Sequence, residues 1–152
     1  MSTIKVDTIQ TRSGVSEIGI DKLKGASSAA SISVVGEGGT TTTNLQQGLC
    51  KQWSHHSGAA SVADSFNQGS LTDNGSGDNT YSLTNNMANS NYSVTFGGGQ
   101  GSTTTSFWVH CIHDGLGTSA FRYDMGYADP GGPTVAAYEW ADACHQVQGD
   151  LA

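Results

Sequence analysis

From about residue 45 onward the chain carries short runs in which apolar and polar side chains alternate with the period-two rhythm of half-buried β-strands. Tyr81 and Leu83 share one face of Thr80–Thr84, and Tyr92-Ser-Val-Thr-Phe96 alternates strictly. Thr103–His113 is the most apolar stretch. It sets Phe107, Val109 and Cys111 on one face, the one expected to be buried, with Trp108, His110 and Ile112 on the other. Phe121, Tyr123 and Met125 alternate with Arg122 and Asp124, and Val135–Trp140 and Cys144–Val147 complete the set. Turn signals punctuate these runs: Asp73-Asn-Gly-Ser-Gly-Asp78, Gly97-Gly-Gly-Gln-Gly101 (expected to be a flexible hairpin or tip loop) and Asp129-Pro-Gly-Gly-Pro133. Short strands repeating every ~10–15 residues, with no βαβ rhythm, predict an all-β antiparallel sandwich or jelly-roll-like domain over 45–152.

The first 44 residues have a different texture. Ile4 and Val6 alternate with Lys5 and Asp7 in a short strand signal spanning 2–10, and Ile18 and Ile20 form a second small apolar pair. Residues 25–33 have the small, polar composition of a linker, and Gly38-Gly39 with Thr40–Thr43 is turn-rich and β-branched. This segment has too few large apolar groups to bury a core of its own, so 1–44 is expected to be an extended arm. All twelve aromatic residues lie at or beyond Trp53, which places the core in the C-terminal part.

Composition sharpens this division. Ser, Thr, Asn and Gly make up 64 of the 152 residues, while Leu, Ile, Val and Phe make up only 26. Charged residues are 12% of the chain, about half the usual share, which excludes both a charged disordered tail and a helical protein rich in Ala, Leu, Glu and Lys. A core so poor in large aliphatic groups implies help from oligomerisation. The net charge of −7 is unevenly spread: residues 53–152 hold nine acidic residues and a single basic one, Arg122. Such a body lacks the Lys and Arg that displace counterions from nucleic acid, and it disfavours anionic membrane surfaces. No apolar run is long enough to span a bilayer, and the N-terminus has no signal-peptide h-region, so assembly in the cytoplasm is expected.

The chemistry-bearing groups are sparse. Cys50, Cys111 and Cys144 form no CxxC pair and are expected to be reduced, buried thiols. His55 and His56 are neighbours on a strand and must point to opposite faces, so they cannot both reach one ion. His110-Cys-Ile-His113-Asp114 offers imidazole and thiol ligands, but His110 and His113 diverge on a strand. A threefold axis is one way to gather three copies of one histidine around an ion; otherwise these are ordinary strand and loop groups. No Cys–His nucleophile pair comes with an orienting group and an oxyanion hole, and nothing selects a glycosidase carboxylate pair. The Gly97–Gly101 run lacks the Lys and the helix of a phosphate loop, and Asp73–Asp78 lacks the twelfth-position Glu of a calcium loop. No enzyme activity, metal or cofactor is therefore expected. Trp108, Tyr127, Tyr138 and Trp140 are either core and subunit-interface groups or flat faces on which a sugar stacks. Together with His113, Asp114 and Asp129, the first three make up the candidate binding set, with the loops of 110–133 as the exposed tip.

Three blocks carry a resemblance: Ser2-Thr-Ile-Lys-Val-Asp-Thr-Ile-Gln10, then Asp64–Asn67 with Leu71–Asp78, Thr80–Asn85 and Met87–Tyr92, and finally Val147-Gln-Gly-Asp-Leu-Ala152. The chain resembles the small tail-fibre-like virion proteins of marine bacteriophages and cyanophages. It departs from their pattern at His55-His56, at Asn67-Gln-Gly69 and throughout 97–140, the region that would set individual specificity. The resemblance implies a homotrimeric appendage on the virion surface. Residues 1–44 would attach it to another virion protein of tail or capsid, with Ile4, Val6 and Ile9 as anchors. The domain at 45–152 would bind a host cell-surface receptor, a polysaccharide among the candidates. The competing readings are a capsid decoration or head-fibre protein with a scaffolding role, and a polysaccharide depolymerase.

Overall fold

A computed structural model describes residues 21–25, 32–36, 38–57, 60–99, 107–128, 131 and 135–152. The expected anchors Ile4, Val6 and Ile9, the Ile18 and Ile20 pair, and Asp129 lie outside the described residues. The fold is all-β, with antiparallel sheets. Strands β1 (Ser33–Val35) and β2 (Thr42–Asn44) pair with one another alone. One helical turn, α1 (Leu45–Gly48), follows, and the Asn44 side chain caps it by accepting the Gln47 N–H at 3.0 Å. The next strands are β3 (Cys50–His56), β4 (Val62–Phe66), β5 (Gln68–Gly75), β6 (Asp78–Leu83), β7 (Ser93–Gly99), β8 (Phe107–Leu116), β9 (Ala120–Ala128), β10 (Val135–Ala137) and β11 (Asp142–Gln148). No helix among the described residues is long and apolar enough to cross a membrane.

Two sheets form a sandwich-like pair. One runs β4-β3-β11-β7; the other is built around β9. Strand β8 covers one edge of β9 from Phe121 to Ala128, so β6 and β10 must share its other edge: β6 along Ala120–Asp124, β10 along Gly126–Ala128. The handover falls at Met125, whose N–H donates to the Gly77 carbonyl and whose carbonyl accepts from the Tyr138 N–H. Gly77 sits there at φ +70°, and a Cβ would collide with the Met125 carbonyl and the Tyr138 backbone.

Alternation fixes the core. Tyr81 and Leu83 of β6 and Phe121, Tyr123 and Met125 of β9 are buried, as their spacing predicts. They meet Ala143 and Val147 of β11, with Met87 and Trp140 closing the ends. Tyr81 stacks on Tyr123 with centroids 4.9 Å apart and on Phe121 at 5.3 Å. The inner face of the opposite sheet is unusually polar, since Gln52, Ser54, His56 and His145 are all buried there. His56 Nδ1 lies 2.7 Å from the Ser57 carbonyl, which can only accept, so the proton sits on Nδ1. Nε2 is then the acceptor for the Tyr81 hydroxyl at 2.7 Å, with the Tyr123 hydroxyl at 3.1 Å. His145 Nε2 donates to Gln52 Oε1 at 2.8 Å, and the His145 ring meets Tyr81 edge-on at 4.4 Å. Aromatic stacking and the hydrogen bonds of His56 and His145 thus stand in for missing aliphatic volume.

Three sequence expectations are corrected. In β8 the alternation is right but the buried face is the opposite one: Val109 and Cys111 are exposed, while Ile112 packs against the core and His110 lies edge-on to Trp140 at 5.7 Å. Register decides this, because Ile112 pairs with buried Tyr123 and so takes its face. Residues 97–99 are not a loop but continue β7 along β11. Gly98, at φ +135°, sits where a Cβ would collide with the Asp142 carbonyl and the Ala143 backbone, with the Trp140 indole close behind at 3.0 Å. The thiols are not buried either: Cys111 and Cys144 are exposed and Cys50 is half-buried.

Burial holds His145 down to about 3, the neighbouring His56 adding to the effect, and burial also lowers His56. Both imidazoles are therefore neutral in the fold and readily protonated in the unfolded chain. Stability should be full above about pH 6.5 and fall as the pH drops below it, by up to ~1.4 kcal/mol per pH unit for each histidine until its folded-state value is reached. Urea titrations from pH 7.5 to 4 check this, and His145→Gln should flatten the slope by about one proton. An unchanged slope would refute the assignment.

Candidate functional site

The alternation that buries Phe121, Tyr123 and Met125 sends Arg122 and Asp124 to the outer face of the same sheet. There the register aligns Asp78 of β6, Asp124 of β9 and Cys111 of β8 in one row. Two carboxylates directly opposite one another repel. Arg122, two residues along β9, reaches back across the sheet and forks onto Asp78: Nε donates to Oδ1 at 2.7 Å and Nη2 to Oδ2. Its Nη1 also reaches Asp114 at 3.4 Å.

His113 completes the cluster. Its Nδ1 lies 2.7 Å from Asp124 Oδ2, and its Nε2 lies 3.6 Å from Asp114 Oδ1. A regular strand would send His113 and Asp114 to opposite faces. The ladder between β8 and β9 is irregular from Ile112 to Leu116, and Gly115 there has φ +89°, so both side chains reach the same cluster. The Arg122 guanidinium holds the Asp78 carboxyl below the usual carboxylate range, and Asn74 adds a hydrogen bond. Asp78 in turn raises Arg122 further above its already high value.

Three of these groups, Asp78, His113 and Asp124, border an open cleft of about 400 Å³, with Arg122 and Asp114 bonded behind them. Asp78, His113, Asp124 and Cys111 line one part of it, and Val109, Val135, Ala136 and Ala137 form an apolar wall. Fixed carboxylates, an imidazole and one guanidinium beside an apolar surface can hydrogen-bond hydroxyls while packing against C–H groups. Among the described residues, one-atom donors from Asp78, His113 and Asp124 also lie within 4.8 Å of one another, the spacing of a potential cation site.

Of the six residues in the candidate binding set, the structure brings His113 and Asp114 into this cluster. Tyr127 and Tyr138 instead meet each other edge-on at 5.9 Å and do not line the cleft. Trp108 pairs by backbone register with Tyr127, and Asp129 lies outside the described residues. Trp140, the fourth aromatic considered as a sugar platform, is buried, and its indole N–H donates to the Gly126 carbonyl at 3.2 Å. His55 and His56 do diverge: His55 faces exposed Asp142 at 3.3 Å on one side of β3 while His56 enters the core. Asp78, Asp124 and Arg122 are the site residues that sequence reasoning missed. One signal was available, since Arg122 is the single basic residue after Lys51 and must sit among carboxylates.

Comparison with known proteins returned no match: no family model, no curated protein and no solved structure matches the chain.

Replacing Arg122 by Gln should lower the melting temperature at neutral pH, because Asp78 and Asp124 then face each other uncompensated. Asp78→Asn added to that variant should restore part of the loss. The gap between wild type and Arg122→Gln should narrow as the pH falls through the carboxylate range, where Asp78 takes up a proton. A gap independent of pH would show that Arg122 acts through packing.

Proposed function

We propose that this protein is a non-enzymatic structural component of a phage virion, a small homotrimeric tail fibre or similar appendage. Residues 1–44 attach it to the particle, with Ile4, Val6 and Ile9 as the apolar anchors. The domain at 45–152 binds the host cell surface, and the receptor class that fits best is a polysaccharide. The observation carrying the binding assignment is the cleft beside Arg122. Its charged groups are already held by one another, so they meet a neutral, hydroxyl-rich ligand without reorganising, and its Val and Ala wall suits the apolar face of a sugar ring.

Two features support self-association. The aliphatic core is thin, and Trp53 and Phe66 are cross-strand partners left exposed on the outer face of the four-stranded sheet. A trimer covers such a surface, and three weak sites on one particle give usable avidity.

Light scattering on the full chain should return three times the 15.7 kDa protomer mass. A clean monomer would sink the trimer and favour a capsid decoration protein. The purified chain should also block phage adsorption, whereas Asp124→Asn combined with Arg122→Gln should block at least ~10-fold less well. Equal blocking by wild type and double variant would move the receptor site elsewhere. Release of reducing sugar from host envelope glycan would establish a depolymerase instead. Ile4→Asp with Val6→Asp should abolish incorporation into virions, and normal incorporation would refute the anchor.

A further inference from the structure

We propose that Asp78, His113 and Asp124 form a binding site for a divalent transition-metal ion of the zinc class. The inference concerns the same cleft but does not rest on the appendage reading, since it follows from donor chemistry and charge alone.

Three observations carry it. First, the donors come from three adjacent strands of one sheet, β6, β8 and β9, rather than from a loop, and lie within 4.8 Å of one another. Two ligands on one zinc ion, each at ~2.0–2.2 Å, are at most about 4 Å apart. Closing the set therefore needs side-chain adjustments of about an ångström, with the 2.7 Å contact between His113 and Asp124 opening to admit the ion.

Second, the charges do not cancel. Asp78, Asp114 and Asp124 surround one guanidinium and one imidazole. Three carboxylates against one guanidinium leave the cluster anionic, a charge that a dication offsets. Arg122 does not have to leave, because a carboxylate oxygen that accepts from the guanidinium has a second lone pair for an ion.

Third, the donor set selects the ion. One imidazole with carboxylates suits zinc, cobalt or manganese better than calcium or magnesium, which favour all-oxygen shells. His113 Nδ1 and Asp124 Oδ2 lie 2.7 Å apart, so the imidazole and the carboxylate already converge on one point. Asp114 stands next to it as a further oxygen donor, and Cys111 lies beside Asp124 in register on the same face. The cleft side stays open, so an added ligand or water completes the shell.

The test uses the full chain with Zn²⁺ for calorimetry and Co²⁺ for absorption. Wild type should bind one ion per chain, with Co²⁺ giving the visible bands of a low-coordinate nitrogen and oxygen site. His113→Gln and Asp124→Asn, both changes at solvent-accessible side chains, should each weaken binding by roughly 10–100-fold or more. Both should keep the wild-type melting profile in the absence of metal to within a few degrees. His55→Gln, which removes the exposed imidazole of the other sheet, should leave binding unchanged. The proposal is overturned if wild type binds neither ion, or if His113→Gln binds with wild-type affinity. It is equally overturned if His55→Gln abolishes binding while His113→Gln does not. Adsorption assays with chelator are read separately: metal binding without an effect on adsorption leaves the metal site standing and detaches it from the receptor reading.

Discussion

The strict two-residue alternation of β9 is the constraint on which the rest of the structure depends. Phe121, Tyr123 and Met125 are large enough that they must be buried together, and a strand can do this only by sending its intervening side chains to the opposite face. Arg122 and Asp124 are therefore turned outward by the same event that forms the core. Every neighbour of β9 inherits this parity through its register: β6 contributes Tyr81 inward and Asp78 outward, and β8 contributes Ile112 inward and Cys111 outward. Core and candidate site are two faces of one ladder. A one-residue slip of β9 against its partners would destroy both.

The core itself shows how a chain poor in aliphatic residues closes a sandwich. One inner face is aromatic and the other carries Gln52, Ser54, His56 and His145. Burying such groups is costly unless each finds a partner: the Tyr81 and Tyr123 hydroxyls supply one for His56 from the opposite sheet and His145 bonds Gln52, while Gln52 Nε2, Ser54 Oγ and His145 Nδ1 have none among the described residues. The bonds that cross between the sheets also fix their relative position, which non-directional apolar contact does less sharply. The consequence is a fold whose stability is tied to the neutrality of two imidazoles.

On the outer face the same economy applies to charge. The acidic body holds one basic side chain, and it is placed where two carboxylates face each other across a ladder. Arg122 relieves that repulsion, yet the cluster stays anionic once Asp114 and Asp124 are counted. A preorganised anionic pocket beside an apolar wall suits ligands rich in hydroxyls or cations, and it owes its rigidity to strands rather than loops.

Apart from β4 and β5, the second of which takes in Asp73–Gly75 of an expected turn, the sequence by itself determined the strand-forming segments beyond Leu45, the buried faces of β6 and β9, the opposed directions of His55 and His56, and the concentration of the core beyond Trp53. These follow from period-two alternation and composition, which are local properties. What the sequence left undecided was which face of β8 turned inward, that 97–99 pair with β11, and that Asp78, His113 and Asp124 meet. His113 and Asp114 were legible as candidates because they are polar groups at the end of an apolar run. Asp78 and Asp124 were not, because 46 positions separate them along the chain and only cross-strand register brings them together. Faces can be read from alternation within a strand. Neighbours across strands are set by register, which depends on the simultaneous packing of all the strands and is written in no single segment.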